Sequence, residues 1–162
     1  MNAPAFPCMR VTLQAPCEDP RTLAISWISN RKSEHWALIS GTSLASDIHA
    51  WTAYNVLLRN QERSKMKSNS IDGEFMRLLS GTHHMATSFN RAGLQKGDTK
   101  AWLVDLSCSN MESEFLEHAE KMNFTLLDDR PNLEIFDASR MGIVTDKNEN
   151  AAIAHIHLAD LR

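Results

Sequence analysis

Seven histidines and three cysteines give this 162-residue chain most of its chemical scope. His83 and His84 are adjacent. Neighbours on a helix point about 100° apart, so they cannot hold one metal as an i,i+4 pair does. They follow Gly81-Thr82, which reads as one helix ending and the next beginning. Free backbone amides at a helix start favour an anion, and imidazoles add to the pull. Thr82, His83 and His84 are therefore either a phosphate site or an ordinary cap with two exposed rings. His155 and His157 fall on one face of an alternating segment, with Asp160 nearby as a conceivable third metal ligand. A solvent-facing or sheet-covered pair explains them as well. Cys108 follows an apolar run and would need a partner base to act as a nucleophile. No family-type signature surrounds it, and a small core filler fits equally.

Other catalytic signatures are missing. The chain has no GxGxxG, Walker loop, HExxH or GxSxG. Asp128-Asp129 lies in a turn-like polar stretch and reads as solvated loop. Nothing in the residues argues for catalysis, so no catalytic residue, metal or cofactor is assigned.

Charge is more informative by position than in total. The net charge is −3. Residues 59–100 carry eight basic groups against four acidic ones, a net of +4. These are Arg59, Arg63, Lys65, Lys67, Arg77, Arg91, Lys96 and Lys100 against Glu62, Asp72, Glu74 and Asp98. Residues 101–162 are strongly acidic, with a net of −7. A cationic island in an acidic chain can mark a polyanion site. It can also be a solvated helix face beside a loop.

Length and composition set the frame for these residues. A chain of this size, 43% apolar and 23% charged, is expected to fold as a single domain over 1–162 with a real core. No apolar run is long enough to span a membrane. Pro4 and Pro7 interrupt any leader-like stretch. Three cysteines without a CxxC pair suit a reducing compartment, so a cytoplasmic location is expected.

The elements that must position these residues follow from periodicity. Residues 1–20 hold four of the five prolines and read as irregular or as an edge extension. Thr22–Ser29 alternates and reads as a strand, with Trp36–Ser40 a second one. A helix is expected from about Ser46 to Arg59, with Ile48, Trp51, Tyr54 and Leu58 as its apolar stripe. Residues 60–70 read as a mobile basic loop. A second helix over 72–80 ends at Gly81, and a third over 83–92 is capped by Thr82, with Met85, Phe89 and Ala92 inward. Ala101–Leu106 reads as a central strand covered on both faces. Ser109 and Glu112 form a capping box for a helix over 110–122 that Asn123 ends. A short strand near 124–127 precedes a closing strand over Ala152–Ala159. Helices and strands mix without a regular βαβ rhythm, which predicts α+β with a mixed, mostly antiparallel sheet.

One block resembles a known family. Its parts are the apolar helix reaching Asn55, the basic loop, and Glu74-Phe75-Met76-Arg77-Leu78-Leu79-Ser80-Gly81. Met85, Ala86, Gly93 and Trp102-Leu103-Val104 follow. This pattern resembles the kinase-associated (PRPK-binding, TPRKB-like) subunit of the KEOPS complex. The last strand expected over 152–162 fits that family too. Where the family often carries Arg-Gln-Ile, this chain has His83-His84-Met85, which weakens a charge-based role there unless the imidazoles are protonated.

The resemblance implies a non-catalytic accessory subunit. Such a subunit grips the small atypical kinase of KEOPS and indirectly serves the ASKHA-type catalytic subunit, which makes threonylcarbamoyladenosine in tRNA. It also implies recruitment of tRNA through the single-stranded 3′ CCA end. Arg59, Arg63, Lys65, Lys67, Arg77, Thr82, His83, His84 and Arg91 are then the RNA-binding candidates. Leu158, Leu161 and Arg162 are the candidates for the kinase contact, since stable contacts bury apolar surface. The alternatives are a protein-only adaptor and a small enzyme pairing Cys108 with His83 or His155.

Overall fold

A computed structural model of the chain describes residues 4–108, 112–144 and 147–161. Its architecture is α+β, as expected. Strand β1 (Cys8–Thr12) is followed by α1 (Pro20–Asn30), β2 (Trp36–Ser40), α2 (Asp47–Glu62), α3 (Ile71–Ser80) and α4 (Met85–Ala92). Then come β3 (Lys100–Asp105), α5 (Glu112–Lys121), β4 (Thr125–Leu127), α6 (Glu149–His157) and a 3-10 turn at Ala159–Leu161. The strands form one sheet in the order β2-β3-β1-β4, and every pairing is antiparallel.

Alternation along the strands feeds two apolar cores. Cys8, Ala37, Ile39, Trp102 and Val104 face one way, against Phe6, Phe75 and residues of α2, α3 and α6. Val11, Trp36, Ala101 and Leu103 face the other way, against Trp27, Phe115, Ala119 and Phe124. β3 is buried along nearly its whole length, so the expected two-sided cover is met.

Three segments differ from the sequence reading. Residues 1–20 contain β1, which lies inside the sheet rather than at its edge. Thr22–Ser29 is helical. Asp19 caps the helix, its carboxylate accepting from the N–H groups of Arg21 (3.1 Å) and Thr22 (3.4 Å), and Pro20 opens it. Only Trp27 of α1 is buried, so the period-two alternation of Leu23, Ile25 and Trp27 has no packing meaning. Ala152–Ala159 is also helical up to His157, with Asn148 as its cap. Its buried residues are Ala152, His155, Ile156 and Ala159, a helical spacing that the alternating histidines mask.

Smaller differences concern faces and caps. α2 runs on to Glu62 and buries His49, Ala50, Ala53 and Leu57, while Ile48 and Leu58 are exposed. α4 begins at Met85 with His84, not Thr82, at the cap position. Ser88 and Ala92 are its buried residues, and Phe89 is exposed. The helix expected over 110–122 is α5, and Asn123 follows it with φ +61°. Ser109 of its expected capping box lies outside the described residues.

Buried imidazoles make this fold acid-sensitive. His49 Nδ1 accepts from the Ala45 N–H (3.0 Å), and its Nε2 has no hydrogen-bond partner among the described residues. Burial, reinforced by His155, pushes its pKa down to about 3. His118 lies against Trp27 and Trp36, and burial lowers its pKa as well, with help from Lys121 and Lys32. The folded state therefore holds these rings neutral, whereas the unfolded chain protonates them near pH 6.5. Their stability contribution is fully present above about pH 6.5 and is lost as pH falls toward 3. Urea unfolding across pH 7 to 4 should show a loss on the order of a few kcal/mol. His49→Asn, whose Oδ1 stands about where Nδ1 does, should flatten that slope.

Candidate functional site

The region around α3 is organised by one buried carboxylate. Glu74 Oε1 accepts from Arg77 Nε (2.9 Å) and from the N–H groups of Lys67 (3.1 Å) and Ser68 (3.2 Å). Its Oε2 accepts from Arg77 Nη2 (2.7 Å) and Asn60 Nδ2 (3.0 Å). Burial alone would raise the Glu74 pKa, but the bonds from Arg77 and Asn60 hold it below the usual carboxylate range. Arg77 Nη1 reaches onward to Asp160 (2.8 Å) in the C-terminal turn. One pair thus ties together the end of α2, the loop after it, α3 and the chain's last turn.

This arrangement removes Arg77 from the candidate surface. Both its side chain and that of Glu74 are 0% exposed. Arg77 cannot reach a phosphate in solution without leaving an uncompensated charge behind. Arg91 is half-buried and also braces the interior. Its Nη1 donates to the Ser80 carbonyl (2.7 Å), and its guanidinium lies where a Cβ at Gly142 would fall. Thr82 is buried, its Oγ1 accepting from the His84 N–H (3.2 Å).

The other candidates are exposed. Arg59 lies in the last turn of α2, where a cation suits the helix dipole, and Arg63 follows as its C-cap. Lys65 and Lys67 stand on the connection to α3. His83 and His84 are exposed with ring centroids 4.0 Å apart. The structure does not merge these two groups. The basic connection meets the start of α3 and the histidines follow its end, about 15 Å away along the helix axis.

At the C-terminus, Leu158 ends α6 and is 39% exposed, and Leu161 is 77% exposed. Arg162 lies outside the described residues. His155 and His157 project from different sides of α6. His155 Nε2 contacts the Met141 carbonyl (2.8 Å), and His157 is exposed, so the shared strand face is absent. Cys108 is exposed rather than a core filler. Partial burial raises its thiol above the ordinary value, assisted by Asp105 and opposed by a bond with Tyr54. That is the reverse of nucleophile activation.

Sequence reasoning misses a groove of about 610 Å³ between α1, β2, α3 and α4. Trp27, Ile28, Leu38, Met76, Phe89 and Leu94 form its walls. Arg31, ion-paired with Asp72 (3.0 Å), clamps α1 to the first turn of α3 at its side. Reading α1 as a strand hides this feature. The Asp19-Pro20 helix start is the signal that could have found it.

Residues 18–155 match the family described as Kinase binding protein CGI-121. The chain belongs to that family. The match spans the α2–α3–α4 block and β3, the segments whose pattern carries the resemblance. Kinase binding is the role this family carries. No curated protein matches the chain.

The buried pair gives a direct test of this architecture. Arg77→Met should lower unfolding free energy in urea by about 3–5 kcal/mol, because Glu74 is left charged and unpaired. Glu74→Gln/Arg77→Met together should recover part of that loss. Asp160→Asn, at a half-exposed partner, should change stability by about 1 kcal/mol or less.

Proposed function

We propose that this CGI-121 family member is a non-catalytic accessory subunit of the KEOPS complex. It binds the complex's small atypical kinase and recruits tRNA through its 3′ CCA end for threonylcarbamoyladenosine modification in the cytoplasm. Membership of a kinase-binding family supports the kinase half. The observation that carries the RNA half is the run of exposed cations Arg59, Arg63, Lys65 and Lys67 at the end of α2 and along the connection to α3.

The physical case is electrostatic. Exposed Lys and Arg side chains neutralise phosphates and release counterions, which gives affinity without sequence preference. The connection is held by backbone bonds to Glu74, so its side chains need not hold the loop and can face a ligand. A single-stranded end further needs flat or hydrogen-bonding groups for its bases. His83 and His84 supply such groups at the far end of α3, and Phe89 supplies an exposed ring on α4. For the kinase, Leu158 and Leu161 offer apolar surface next to the turn pinned by Asp160.

The second reading is a protein-only adaptor, favoured by the commitment of Arg77 and Arg91 to internal partners. One experiment separates the two. Intact tRNA should bind with an affinity that falls steeply with salt, and trimming the terminal CCA should remove most of it. Arg59→Glu, Arg63→Glu and Lys67→Glu together should lower the log–log salt slope by about 2, at roughly 0.7 per single-strand phosphate contact. Equal binding of trimmed and intact tRNA, or an unchanged slope, leaves the protein-only reading standing. Separately, Leu158→Asp with Leu161→Asp should abolish co-purification with the kinase while leaving tRNA binding intact.

A further inference from the structure

The sheet ends on one side at β4, and the ladder register shows what that edge offers. The Asp105 N–H donates to Pro7 O (3.0 Å) and the Leu13 N–H to Thr99 O (2.8 Å). Antiparallel ladders alternate bonded and non-bonded pairs, so the odd-numbered residues of β1 bond to β3 and the even-numbered ones to β4. Arg10 and Thr12 therefore use Leu127 and Thr125, their partners in register. Leu126 turns its N–H and C=O outward. Neither group has a hydrogen-bond partner among the described residues, nor do the Phe124 C=O and the Asp128 N–H on either side. The Phe124 N–H is occupied, donating to Ala119 O (3.0 Å).

The opposite edge, at β2, is blocked. The Trp36 carbonyl accepts from Trp27 Nε1 (3.2 Å) and Arg31 Nη1 (2.9 Å), and its N–H donates to Ser33 O (3.2 Å). The Ser40 carbonyl accepts from the Ser43 N–H (3.2 Å) and Oγ (2.7 Å). Leu38 alone keeps both its outward groups open there among the described residues, and an added strand needs alternate residues free along the edge. β4 also lacks the devices that keep outer strands unpaired. Its three pairs with β1 run in register without a bulge, and residues 124–130 contain no proline. Its central outward residue is Leu126, 46% exposed, where a lysine would protect the edge. Leu126 stands opposite Val11, which is fully buried in the core, so an apolar residue laid beyond it would extend that layer.

Charge says what kind of strand fits. The cations around β4 are already committed. Lys32 (3.7 Å) and Lys121 (3.8 Å) both face Glu117, Arg10 holds Asp129 (3.0 Å), and Arg130 holds Asp47. Two exposed carboxylates are left without an ion pair among the described residues. Asp128 follows the strand directly. Glu120 stands at its start, its carbonyl accepting from the Asn123 N–H (3.0 Å). The open edge is thus bracketed by negative charge at both ends. A second copy of the chain would bring an equally acidic edge against it, and like charges across a ladder are unfavourable.

We propose that the β4 edge takes up an extended basic segment of a partner protein as a fifth, antiparallel strand. One residue of that segment exchanges both backbone bonds with Leu126. The residue two before it gives its C=O to the Asp128 N–H, and the residue two after it gives its N–H to the Phe124 C=O. Side chains at these three positions share the face of Leu126. The middle one is apolar and β-branched, covering Leu126. The outer two are Lys or Arg, opposite Asp128 and toward Glu120. Backbone bonds give the affinity and the alternate side chains the selectivity. This contact uses neither the basic connection nor Leu158 and Leu161, so it stands or falls apart from the proposed function.

The test titrates the full chain with the peptide Thr-Lys-Thr-Val-Thr-Lys-Thr, blocked at both ends, and follows amide signals by NMR. Binding should be saturable, with the largest shifts at the Leu126 and Asp128 amides and slower hydrogen exchange at Leu126. Two probes interrupt the ladder. A peptide whose Val is N-methylated lacks the N–H that meets the Leu126 carbonyl. Leu126→Pro removes an N–H that makes no ladder bond, a position where an outer strand tolerates proline. Each should weaken binding about tenfold, the worth of one backbone bond. A third probe reads charge. Replacing both Lys by Glu in the peptide should weaken binding about tenfold at low salt, with the gap narrowing as salt rises. Asp128→Lys with Glu120→Lys should invert that preference. Thermal unfolding shows whether Leu126→Pro is folded, and the N-methylated peptide tests the same ladder on the unaltered chain. No saturable binding overturns the proposal, as does equal binding of the N-methylated peptide or shifts confined to other elements. Indifference to the Lys-to-Glu exchange overturns the basic partner. A dimer in sedimentation that Leu126→Pro dissociates makes a second copy the occupant and overturns it too.

Discussion

A carboxylate and a guanidinium with no solvent exposure face each other across one turn of α3. Taking either charge out of water alone would be prohibitive, so Glu74 and Arg77 are present only as a pair with nearly every bonding position filled. Their partners come from four places in the chain: Asn60, the amides of Lys67 and Ser68, α3 itself, and Asp160. Apolar packing holds helices together without fixing a loop. This network fixes the loop, because a charged acceptor binds backbone N–H groups strongly and at set angles. The shape of the connection from α2 to α3 is therefore dictated from inside.

That constraint decides which cations remain available. By sequence position Arg77 sits amid basic neighbours, and counting charge places it with them. In the fold it neutralises Glu74, and the two together contribute nothing to the outward field. Arg91 is occupied in turn by the carbonyl that ends α3. Beside Lys96 and Lys100 farther along the chain, what is left is Arg59, Arg63, Lys65 and Lys67, which stand together at the end of α2 and on the connection whose backbone Glu74 anchors. The positive surface is smaller than the sequence count and better localised.

Legibility from sequence follows the strength of local signals. α2, α3 and the central strand are readable because caps, a terminal glycine and long apolar runs agree with each other. Gly81 at φ +66° ends α3 as its position demands. α1 and α6 mislead for a shared reason: each is short, and each carries β-branched or histidine residues in alternation. On sequence alone that alternation outweighs the Asp19 and Asn148 caps, whereas in the fold the caps prevail. β1 is lost because prolines at 4 and 7 suggest irregular chain, although they only precede the strand. At the site, exposure of the loop cations is legible from composition. Burial of Arg77 is not, because its partner Asp160 lies 83 residues after it, and Asn60, which bonds its other partner Glu74, lies 17 residues before it.

The helical state of α1 has the largest effect on the surface, because a helix there leaves a groove that a strand would have closed. β2 is an outer strand of the sheet, and another strand laid against it would have paired the Leu38 backbone. A helix packed by Trp27 and Leu23 leaves that backbone unpaired, with Met76 and Phe89 also lining the gap. α3 borders the basic connection, the C-terminal turn and the groove. Its Glu74 shapes the basic connection, its Arg77 holds the turn beside Leu158 and Leu161, and its Gly73 and Met76 wall the groove. Because α3 is buried from Gly73 to Ser80, these features are fixed relative to one another. A protein of a kinase-binding family is served by such a rigid centre, which presents its surface in one arrangement.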